Sequence, residues 1–287
     1  MIKLRALNVL LLAVLMASCC NNNNCCNEND FIQVDTVAVY SPKMNRDIKN
    51  TIILPEQYAC GEDSYPVIFL LNGYDGDYKA WLGTKPNLDK LASENEVIFV
   101  LPDGQDSWYI DSPIDSTMQF ETYLTKELLP YVDNNYRTKA TAEYRAITGL
   151  SMGGHGALHT AIKHPNLFKN AGSMSGGVNI APYTSKWKLQ TLLGDTIQYK
   201  EEWYNSNVTN LAKELENGVL NITIDCGVDD FFFDINNNLH QLLVDNKVDH
   251  DYTVRPGGHS HPYWRNSIDY HILFFTKQFA KANEESK

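Results

Sequence analysis

Gly149-Leu150-Ser151-Met152-Gly153 decides the fold, because it matches the pattern G-x-S-x-G, in which a serine occupies a sharp turn between a strand and a helix. The required context is present. Residues 144–150 have the composition of a strand, and residues 153–163 have that of a helix rich in small side chains. The flanking glycines leave room for the turn and for close packing of the helix on the sheet. We therefore predict that Ser151 lies at the tip of a nucleophile elbow.

Short apolar segments alternate with helical patterns on both sides of this turn. Residues 67–71 and 97–101, and later residues 220–226, have the length and composition of buried strands. Such alternation is typical of βαβ units, whose parallel strands are covered by helices. We predict an α/β fold with a mostly parallel central sheet and helices on both faces. Residues 177–217 are less regular and are predicted to cap the C-terminal edge of the sheet.

A serine hydroxyl becomes an effective nucleophile when a base takes its proton, so a histidine and a carboxylate should follow the elbow. On α/β sheets with this turn the chain order is serine, acid, histidine. Two segments that follow predicted strands supply the groups, Gly227-Val228-Asp229-Asp230 and Pro256-Gly257-Gly258-His259. The first offers two adjacent aspartates, and His261 lies two residues beyond the second. The residues alone leave both choices open.

Five ordered motifs, spread over nearly all of residues 31–287, resemble the esterase D and feruloyl esterase family of α/β-hydrolases. The motifs are Leu70-Leu71-Asn72-Gly73-Tyr74, Pro102-Asp103-Gly104, Gly149-Leu150-Ser151-Met152-Gly153-Gly154-His155-Gly156, Gly227-Val228-Asp229-Asp230 and Gly257-Gly258-His259. The family includes S-formylglutathione hydrolases, feruloyl esterases, acetyl esterases and the antigen 85 mycolyltransferases. The resemblance implies the α/β-hydrolase fold and a serine carboxylic-ester hydrolase.

The resemblance also implies a role for each member of a catalytic triad. Ser151 falls on the nucleophile, and Asp230, as the last residue of a Gly-x-x-Asp segment, falls on the acid. His259 directly follows the paired glycines and falls on the base. Asp229 and His261 remain the alternatives for the acid and the base.

An oxyanion hole needs two preorganised donors, and the resemblance implies the backbone N–H groups of Tyr74 and Met152. The family usually has His-Gly-x-Gly-Gly where this chain has Asn72-Gly73-Tyr74-Asp75-Gly76. A backbone donor survives such side-chain changes. However, Asn72 cannot be ionised and Asp75 adds a negative charge, so the strength of catalysis is open.

A polar and aromatic segment, residues 103–113, follows a predicted strand and should lie at the C-terminal rim, where open α/β sheets bind ligands. Within it, Trp108 and Tyr109 are predicted to bind substrate, either by lining an acyl pocket or by stacking on a sugar. The alternative is that Trp108 only packs in the core.

Charge and composition exclude several classes of function. The formal net charge is -11, and no run rich in Lys and Arg is present, which argues against nucleic-acid binding. No cluster of histidine, cysteine and carboxylate residues has metal-ligand spacing, so we expect neither a metal nor a cofactor. Cys60 and Cys226 are the two cysteines within the predicted folded body, and a disulfide framework is not indicated.

The N-terminal residues have the pattern of an export signal. Residues 1–18 carry Lys3 and Arg5 before an apolar run that is too short to cross a bilayer, and are predicted to be a signal peptide. Met16-Ala17-Ser18-Cys19 resembles a bacterial lipobox, which implies lipidation of Cys19. Residues 19–30 are then a polar tether and residues 31–287 the esterase domain. We expect a lipoprotein of the bacterial cell envelope, periplasmic or on the cell surface, that touches the membrane only through this anchor.

Export and the resemblance together favour one substrate class. We expect a small-molecule or carbohydrate-linked ester, with acetyl or feruloyl esters of carbohydrate first, and hence a role in carbohydrate degradation. Two alternatives remain: an acyltransferase of the antigen 85 type that uses the same triad, and a non-catalytic binding protein.

Overall fold

The computed structural model describes Phe31 and residues 33–285. The predictions for the signal peptide (1–18), for Cys19 and for the tether (19–30) fall outside these residues. Eight strands form one sheet in the order 1-2-4-3-5-6-7-8. The strands are β1 (Val34–Ser41), β2 (Arg46–Ile53), β3 (Val67–Leu71), β4 (Ile98–Pro102), β5 (Arg145–Gly149), β6 (Asn170–Met174), β7 (Asn221–Gly227) and β8 (Asp251–Arg255).

Among the described strands, neighbours pair in parallel from β4 through β3 and β5 to β8, and β2 pairs antiparallel with β1 and β4. The central strands β3, β4 and β5 are buried along their whole length, as expected for parallel strands covered on both faces. Because parallel strands end at the same edge, the loops after β3, β5, β7 and β8 are brought together there. These are the loops in which the sequence places the candidate catalytic groups.

Helices cover both faces of the sheet, as predicted. They are α1 (Ala80–Thr84), α2 (Leu88–Asn95), α3 (Phe120–Thr122), a π-helical segment (Tyr123–Leu128), α4 (Leu129–Asn135), α5 (Met152–Lys163), α6 (Leu189–Leu193), α7 (Lys200–Asn205), α8 (Val208–Leu211), α9 (Phe233–Asp245) and α10 (His261–Glu285). One apolar core contains Phe69 and Leu71 of β3 with residues of α5 and α9. The other contains Ile68 and Leu70 with residues of α2 and α10. Successive residues of β3 therefore face opposite cores, as the pleat of a strand requires.

The predicted capping segment, residues 177–217, folds into the short helices α6, α7 and α8. Its two tryptophans have different positions. Trp203 is buried and donates its indole N–H to the Gly194 carbonyl at 3.2 Å, so it holds the segment together. Trp187 lines the cavity at the C-terminal edge of the sheet, and only this part of the segment reaches the site.

The two cysteines of the folded body differ in state. Cys226 is a buried free thiol, whereas Cys60 is disulfide-bonded. The sequence did not indicate a disulfide framework, so the bond at Cys60 was not predicted. Within Phe31 and residues 33–285, no helix has the length and apolar character needed to cross a membrane.

Candidate active site

Ser151 occupies the tight turn between β5 and α5. Its backbone has φ 55° and ψ −116°, a sparsely populated conformation for a residue with a side chain. Two glycines make the turn possible. A Cβ on Gly149 would lie 2.7 Å from the Leu71 carbonyl oxygen, and a Cβ on Gly153 would lie 2.3 Å from the same atom. The glycines of the G-x-S-x-G motif thus let the elbow press against the end of β3.

A continuous chain of hydrogen bonds joins Ser151, His259 and Asp230. The Ser151 hydroxyl donates to His259 Nε2 at 2.9 Å. On the other side of the ring, His259 Nδ1 donates to the two carboxylate oxygens of Asp230 at 3.0 and 2.9 Å. The structure brings together the three residues that the sequence proposed, over separations of 108 and 29 residues along the chain.

Burial and backbone hydrogen bonds hold Asp230 in place. Its side chain is fully buried, and the Phe232 N–H donates to Asp230 Oδ1 at 2.8 Å. The Asp230 N–H in turn donates to the Gly227 carbonyl at 3.1 Å, which fixes the turn after β7. The carboxylate is therefore presented to His259 in one orientation and is shielded from solvent.

The two alternative residues lie outside this chain of hydrogen bonds. Asp229 is exposed, and its backbone N–H donates to the Gly257 carbonyl at 2.9 Å. His261 begins α10, and its Nδ1 lies 2.8 Å from Thr84 Oγ1. Because the Thr84 hydroxyl already donates to the Ala80 carbonyl at 3.0 Å, it accepts the bond from His261. His261 lines the cavity but does not contact Ser151 or Asp230 through a hydrogen bond.

Aromatic rings surround the His259 imidazole. Phe231 lies 4.2 Å away between ring centroids, Trp264 lies 4.8 Å away edge-on, and Phe232 lies 5.4 Å away edge-on. These contacts restrict the ring to the orientation in which Nε2 faces Ser151. The run Phe231-Phe232-Phe233, directly after the candidate acid, is the sequence signal that could have found two of these residues.

The two predicted oxyanion donors belong to segments that adjoin Ser151. Met152 is the first residue of α5, so its N–H has no acceptor in the preceding turn and carries the positive end of the helix dipole. Tyr74 follows Gly73, whose Cβ position would lie 3.6 Å from Ser151 Cβ. Among the described residues, neither N–H donates a hydrogen bond within the protein. Both remain available to a ligand atom beside Ser151.

The extra acidic residue of this loop is tied back by its neighbours. The Asp75 N–H donates to Asp106 Oδ1 at 3.0 Å, and Asp106 Oδ2 accepts from Lys188 Nζ at 2.8 Å. The Lys188 ammonium also lies 6.0 Å from the centre of the Tyr74 ring. A cation from the capping segment therefore offsets part of the negative charge beside the loop.

Ser151 opens into a cavity of about 690 Å³, which we call the aromatic cleft. Its lining is Gly73, Tyr74, Asp75, Gly76, Asp77, Ala80, Trp108, Leu150, Ser151, Trp187, Phe231, Phe232, His259, His261 and Trp264. The Phe231 and Trp187 rings are stacked, with nearly parallel planes and centroids 6.0 Å apart, and Phe231 is 56% exposed. This aromatic wall offers an apolar surface, including the exposed Phe231 ring, to a planar or apolar group.

The two residues predicted to bind substrate have different environments in the structure. Trp108 lines the aromatic cleft and is also buried, with its indole N–H donating to the Trp187 carbonyl at 3.2 Å. Tyr109 is absent from the lining and is fully buried, so the prediction that it binds substrate is wrong. Positive φ angles of 54° and 57° at these two residues turn the Tyr109 side chain into the protein.

Three further histidines are core residues rather than site residues. Burial lowers the pKa of His155 to about 4 and that of His271 to about 3. Burial, and then the neighbouring His155, lower the pKa of His159 to about 3. These rings are therefore neutral at physiological pH. Within the described residues, no group of three or more His, Cys, Asp or Glu side chains could hold a metal ion.

Comparisons with known proteins agree with this geometry. The Esterase family model matches residues 41–275. An esterase of Mycobacterium tuberculosis strain H37Rv is 32% identical over 166 residues, which are 54% of this chain and 34% of that protein. An acetyl esterase of Caldicellulosiruptor saccharolyticus is 26% identical over 249 residues, or 80% of this chain and 92% of that protein. Antigen 85 acyltransferases are also relatives. The chain spans about a third of the length of the M. tuberculosis esterase.

A solved structure of a ferulic acid esterase superposes on this chain with a TM-score of 0.73 and 27% sequence identity. The superposition covers 85% of this chain and 98% of the ferulic acid esterase. The predicted α/β-hydrolase fold and the resemblance to the esterase D and feruloyl esterase group are thereby confirmed.

Proposed function

Because this chain belongs to the Esterase family, we propose that it is an exported serine esterase in which Ser151, His259 and Asp230 form the catalytic triad. The family and the related acetyl esterase make it an enzyme, in place of the non-catalytic binding protein considered above. The observation that carries the triad is the unbroken hydrogen-bonded chain from the buried carboxylate through the imidazole to the serine hydroxyl. That chain ends in a cleft that an ester can enter.

In the first half-reaction, Ser151 Oγ attacks the ester carbonyl carbon while His259 Nε2 takes the hydroxyl proton. The carbonyl oxygen becomes an oxyanion, and the N–H groups of Tyr74 and Met152 stabilise it. Collapse of this intermediate breaks the bond to the alcohol oxygen, which receives the proton from His259. The alcohol leaves, and the acyl group stays on Ser151.

In the second half-reaction, water attacks the acyl-enzyme and gives its proton to His259. The same donors hold the second oxyanion, and collapse releases the carboxylic acid as the proton returns to Ser151 Oγ. Asp230 accepts the hydrogen bond from His259 Nδ1 throughout. It keeps the tautomer that leaves Nε2 free to accept, and it stabilises the imidazolium that forms in each half-reaction.

We propose acetyl or aromatic acyl esters of carbohydrate as the substrates. The aromatic wall of Trp108, Trp187 and Phe231 supports an apolar or planar acyl group, because ring pairs stabilise each other beyond the area that they bury. The lining of the cleft also includes the polar residues Asp77 and His261, which suit the hydroxyl groups of a sugar. The similarity to an acetyl esterase and to a ferulic acid esterase also supports acetyl or aromatic acyl groups.

A panel of esters tests this substrate class. We expect higher kcat/KM for acetyl, butyryl and feruloyl esters than for palmitoyl esters, with a gradual decline along the aliphatic series. If the wall binds the acyl ring, Phe231→Ala should lower kcat/KM for the feruloyl ester more than for the acetyl ester. Loss of one ring contact of about 0.5–1.5 kcal/mol corresponds to roughly 2- to 12-fold in this ratio.

The exposed Tyr204, outside the cleft, provides a matched control, because Tyr204→Ala removes a surface ring that substrate does not meet. Phe231 is preferred to Trp108 for truncation, since Trp108 is buried and its loss would cost about 3–5 kcal/mol of stability. A clear preference for palmitoyl esters would refute the carbohydrate-ester class and leave the serine mechanism standing.

An acyltransferase is the second candidate, supported by the antigen 85 relatives. It would use the same acyl-enzyme, and differ only in whether water or an alcohol removes the acyl group. Product analysis with a sugar acceptor separates the two. Predominant acyl transfer at millimolar acceptor, in place of release of the free acid, would favour the acyltransferase.

We also propose that the enzyme works in the bacterial cell envelope, anchored through Cys19. The support is the export pattern of residues 1–18, the lipobox-like Met16-Ala17-Ser18-Cys19, and a disulfide at Cys60, a bond that persists in oxidising compartments. The expected result is that the precursor is cleaved before Cys19 and sediments with membranes, and that Cys19→Ser releases soluble protein. Fractionation and mass spectrometry of the N-terminus measure both. Unchanged membrane attachment of Cys19→Ser would refute lipid anchoring.

A further inference from the structure

The peptide between Gly73 and Tyr74 is fixed by two hydrogen bonds to its carbonyl oxygen. The Gly73 carbonyl accepts hydrogen bonds from Asn72 Nδ2 at 2.9 Å and from the Gly76 N–H at 3.0 Å. In a planar trans peptide the C=O and the following N–H point in opposite directions. The two bonds to the carbonyl therefore direct the Tyr74 N–H away from the Asn72 side chain, and both Gly73 and Tyr74 line the aromatic cleft.

The Asn72 amide uses its donor and its acceptor at the same time. While Nδ2 donates to Gly73, Oδ1 accepts from the Gly104 N–H at 2.9 Å and from the Tyr109 hydroxyl at 2.7 Å. The Tyr109 oxygen also accepts from the backbone N–H of Asn72 at 2.9 Å. A buried amide provides both functions without a charge, which explains why this chain can have Asn72 where the resembling family usually has histidine.

Two glycines, which lack side chains, leave the space that the Tyr109 ring fills. A Cβ on Gly104 would lie 2.2 Å from the Tyr109 hydroxyl oxygen, and a Cβ on Gly156 would lie 2.4 Å from Tyr109 Cδ2. Burial also raises the pKa of the phenol, which stays protonated and keeps its donor. The glycines that end two of the sequence motifs are thus needed by one buried tyrosine.

From these contacts we propose that Asn72, held by Tyr109, is a positioning residue that aims the Tyr74 N–H at the oxyanion. The inference rests on the proposed serine mechanism. It assigns a role to residues that touch neither the substrate nor the triad: the buried pair sets the direction of one backbone donor. Loss of the pair should therefore weaken binding of the tetrahedral transition state more than binding of the ester.

Asn72→Ala is the main test, measured with 4-nitrophenyl acetate. We expect kcat to fall by about 10²- to 10³-fold, the usual loss for one oxyanion donor, with KM changed by less than about threefold. Affinity for phenylboronic acid, which forms a tetrahedral adduct on a serine, should fall in parallel with kcat/KM. A fluorophosphonate titration gives the concentration of folded sites, so that loss of protein is not counted as loss of rate.

Asn170→Ala is the matched control. Asn170 is equally buried and donates to the carbonyls of Glu143 and Arg145 at 2.9 and 3.0 Å, but it lies in β6 at the end of the sheet away from Ser151. A structural loss alone should lower the melting temperature of both variants and leave kcat per folded site unchanged in both. If Asn72→Ala behaves like Asn170→Ala in kcat and boronate affinity, the proposal is overturned.

Tyr109→Phe decides the matter if Asn72→Ala does not fold. It removes one donor to Asn72 Oδ1 and should lower kcat per folded site by roughly 2- to 12-fold, the value of one neutral hydrogen bond. Tyr123→Phe is its control, because Tyr123 forms a similar buried pair with Asn50 outside the cleft. Equal kcat in both tyrosine variants would overturn the proposal. Activity of Ser151→Ala would instead overturn the proposed mechanism itself.

Discussion

Ser151→Ala should lower kcat for an aryl acetate by about 10⁴- to 10⁶-fold, because a triad that loses its nucleophile loses the function of the whole unit. The fold should survive. Alanine has the same Cβ as serine, so the strained turn at φ 55° is unchanged, and among the described residues the hydroxyl bonds to His259 alone. Steady-state kinetics, with circular dichroism and a melting curve on the same sample, measure both effects.

A matched control for this variant is Ser173→Ala. Ser173 is fully buried on β6 below the elbow, and its hydroxyl has no hydrogen-bond partner among the described residues. Its removal should leave both kcat and stability near those of the parent protein. A kcat of Ser151→Ala within tenfold of that of the parent protein would show that another group attacks the ester. It would refute the assignment of Ser151 as the nucleophile.

The elbow could be predicted from sequence because its determinants are local. Five consecutive residues specify the turn, and the strand and helix on either side have clear patterns of their own. The observed elements, β5 (Arg145–Gly149) and α5 (Met152–Lys163), differ from the predicted ones by a residue or two at their ends. The periodicity and the small residues of one continuous segment were therefore sufficient to predict this strand, turn and helix.

The local sequence could not decide which of two neighbouring aspartates is the catalytic acid. Nothing in the sequence of Asp229 and Asp230 distinguishes them, and the resemblance supplied the preference for Asp230. The structure gives the physical basis: the turn after β7 buries the second carboxylate beside His259 and leaves the first exposed. A change of one residue in a turn reverses the direction of a side chain, and only the tertiary fold fixes that direction.

Tyr109 shows the other limit of sequence reasoning. Its position after a strand predicted that it lies at the rim, but could not give the direction of its side chain. Two successive positive φ angles turn the ring inward, and its partner Asn72 is 37 residues away in sequence. Left-handed residues other than glycine have no reliable sequence signal. The role of the pair could therefore be recognised only when both residues were seen in contact.

The second large effect is expected at the acid and the base. Asp230→Asn should lower kcat by about 10⁴-fold, because an asparagine amide would donate to His259 Nδ1 and force the proton onto Nε2. In that tautomer His259 cannot accept the proton of Ser151. His259→Ala removes the base altogether and should cost as much as Ser151→Ala. The double variant of Ser151 and His259 should be no slower than either single one.

The neighbouring residues provide the controls for these two changes. Asp229→Asn alters an exposed side chain, and His261→Ala removes a ring that hydrogen-bonds Thr84 rather than Ser151. Each control should retain kcat within about tenfold of the parent, since neither residue belongs to the hydrogen-bonded chain. His261 lines the cleft, so its loss should act on KM more than on kcat. If Asp229→Asn or His261→Ala were the more damaging change of its pair, the assignment of acid or base would be wrong by one or two residues. If all four variants lost activity equally, the substitutions would be acting by destabilising the protein, and melting curves would show lower melting temperatures for all four.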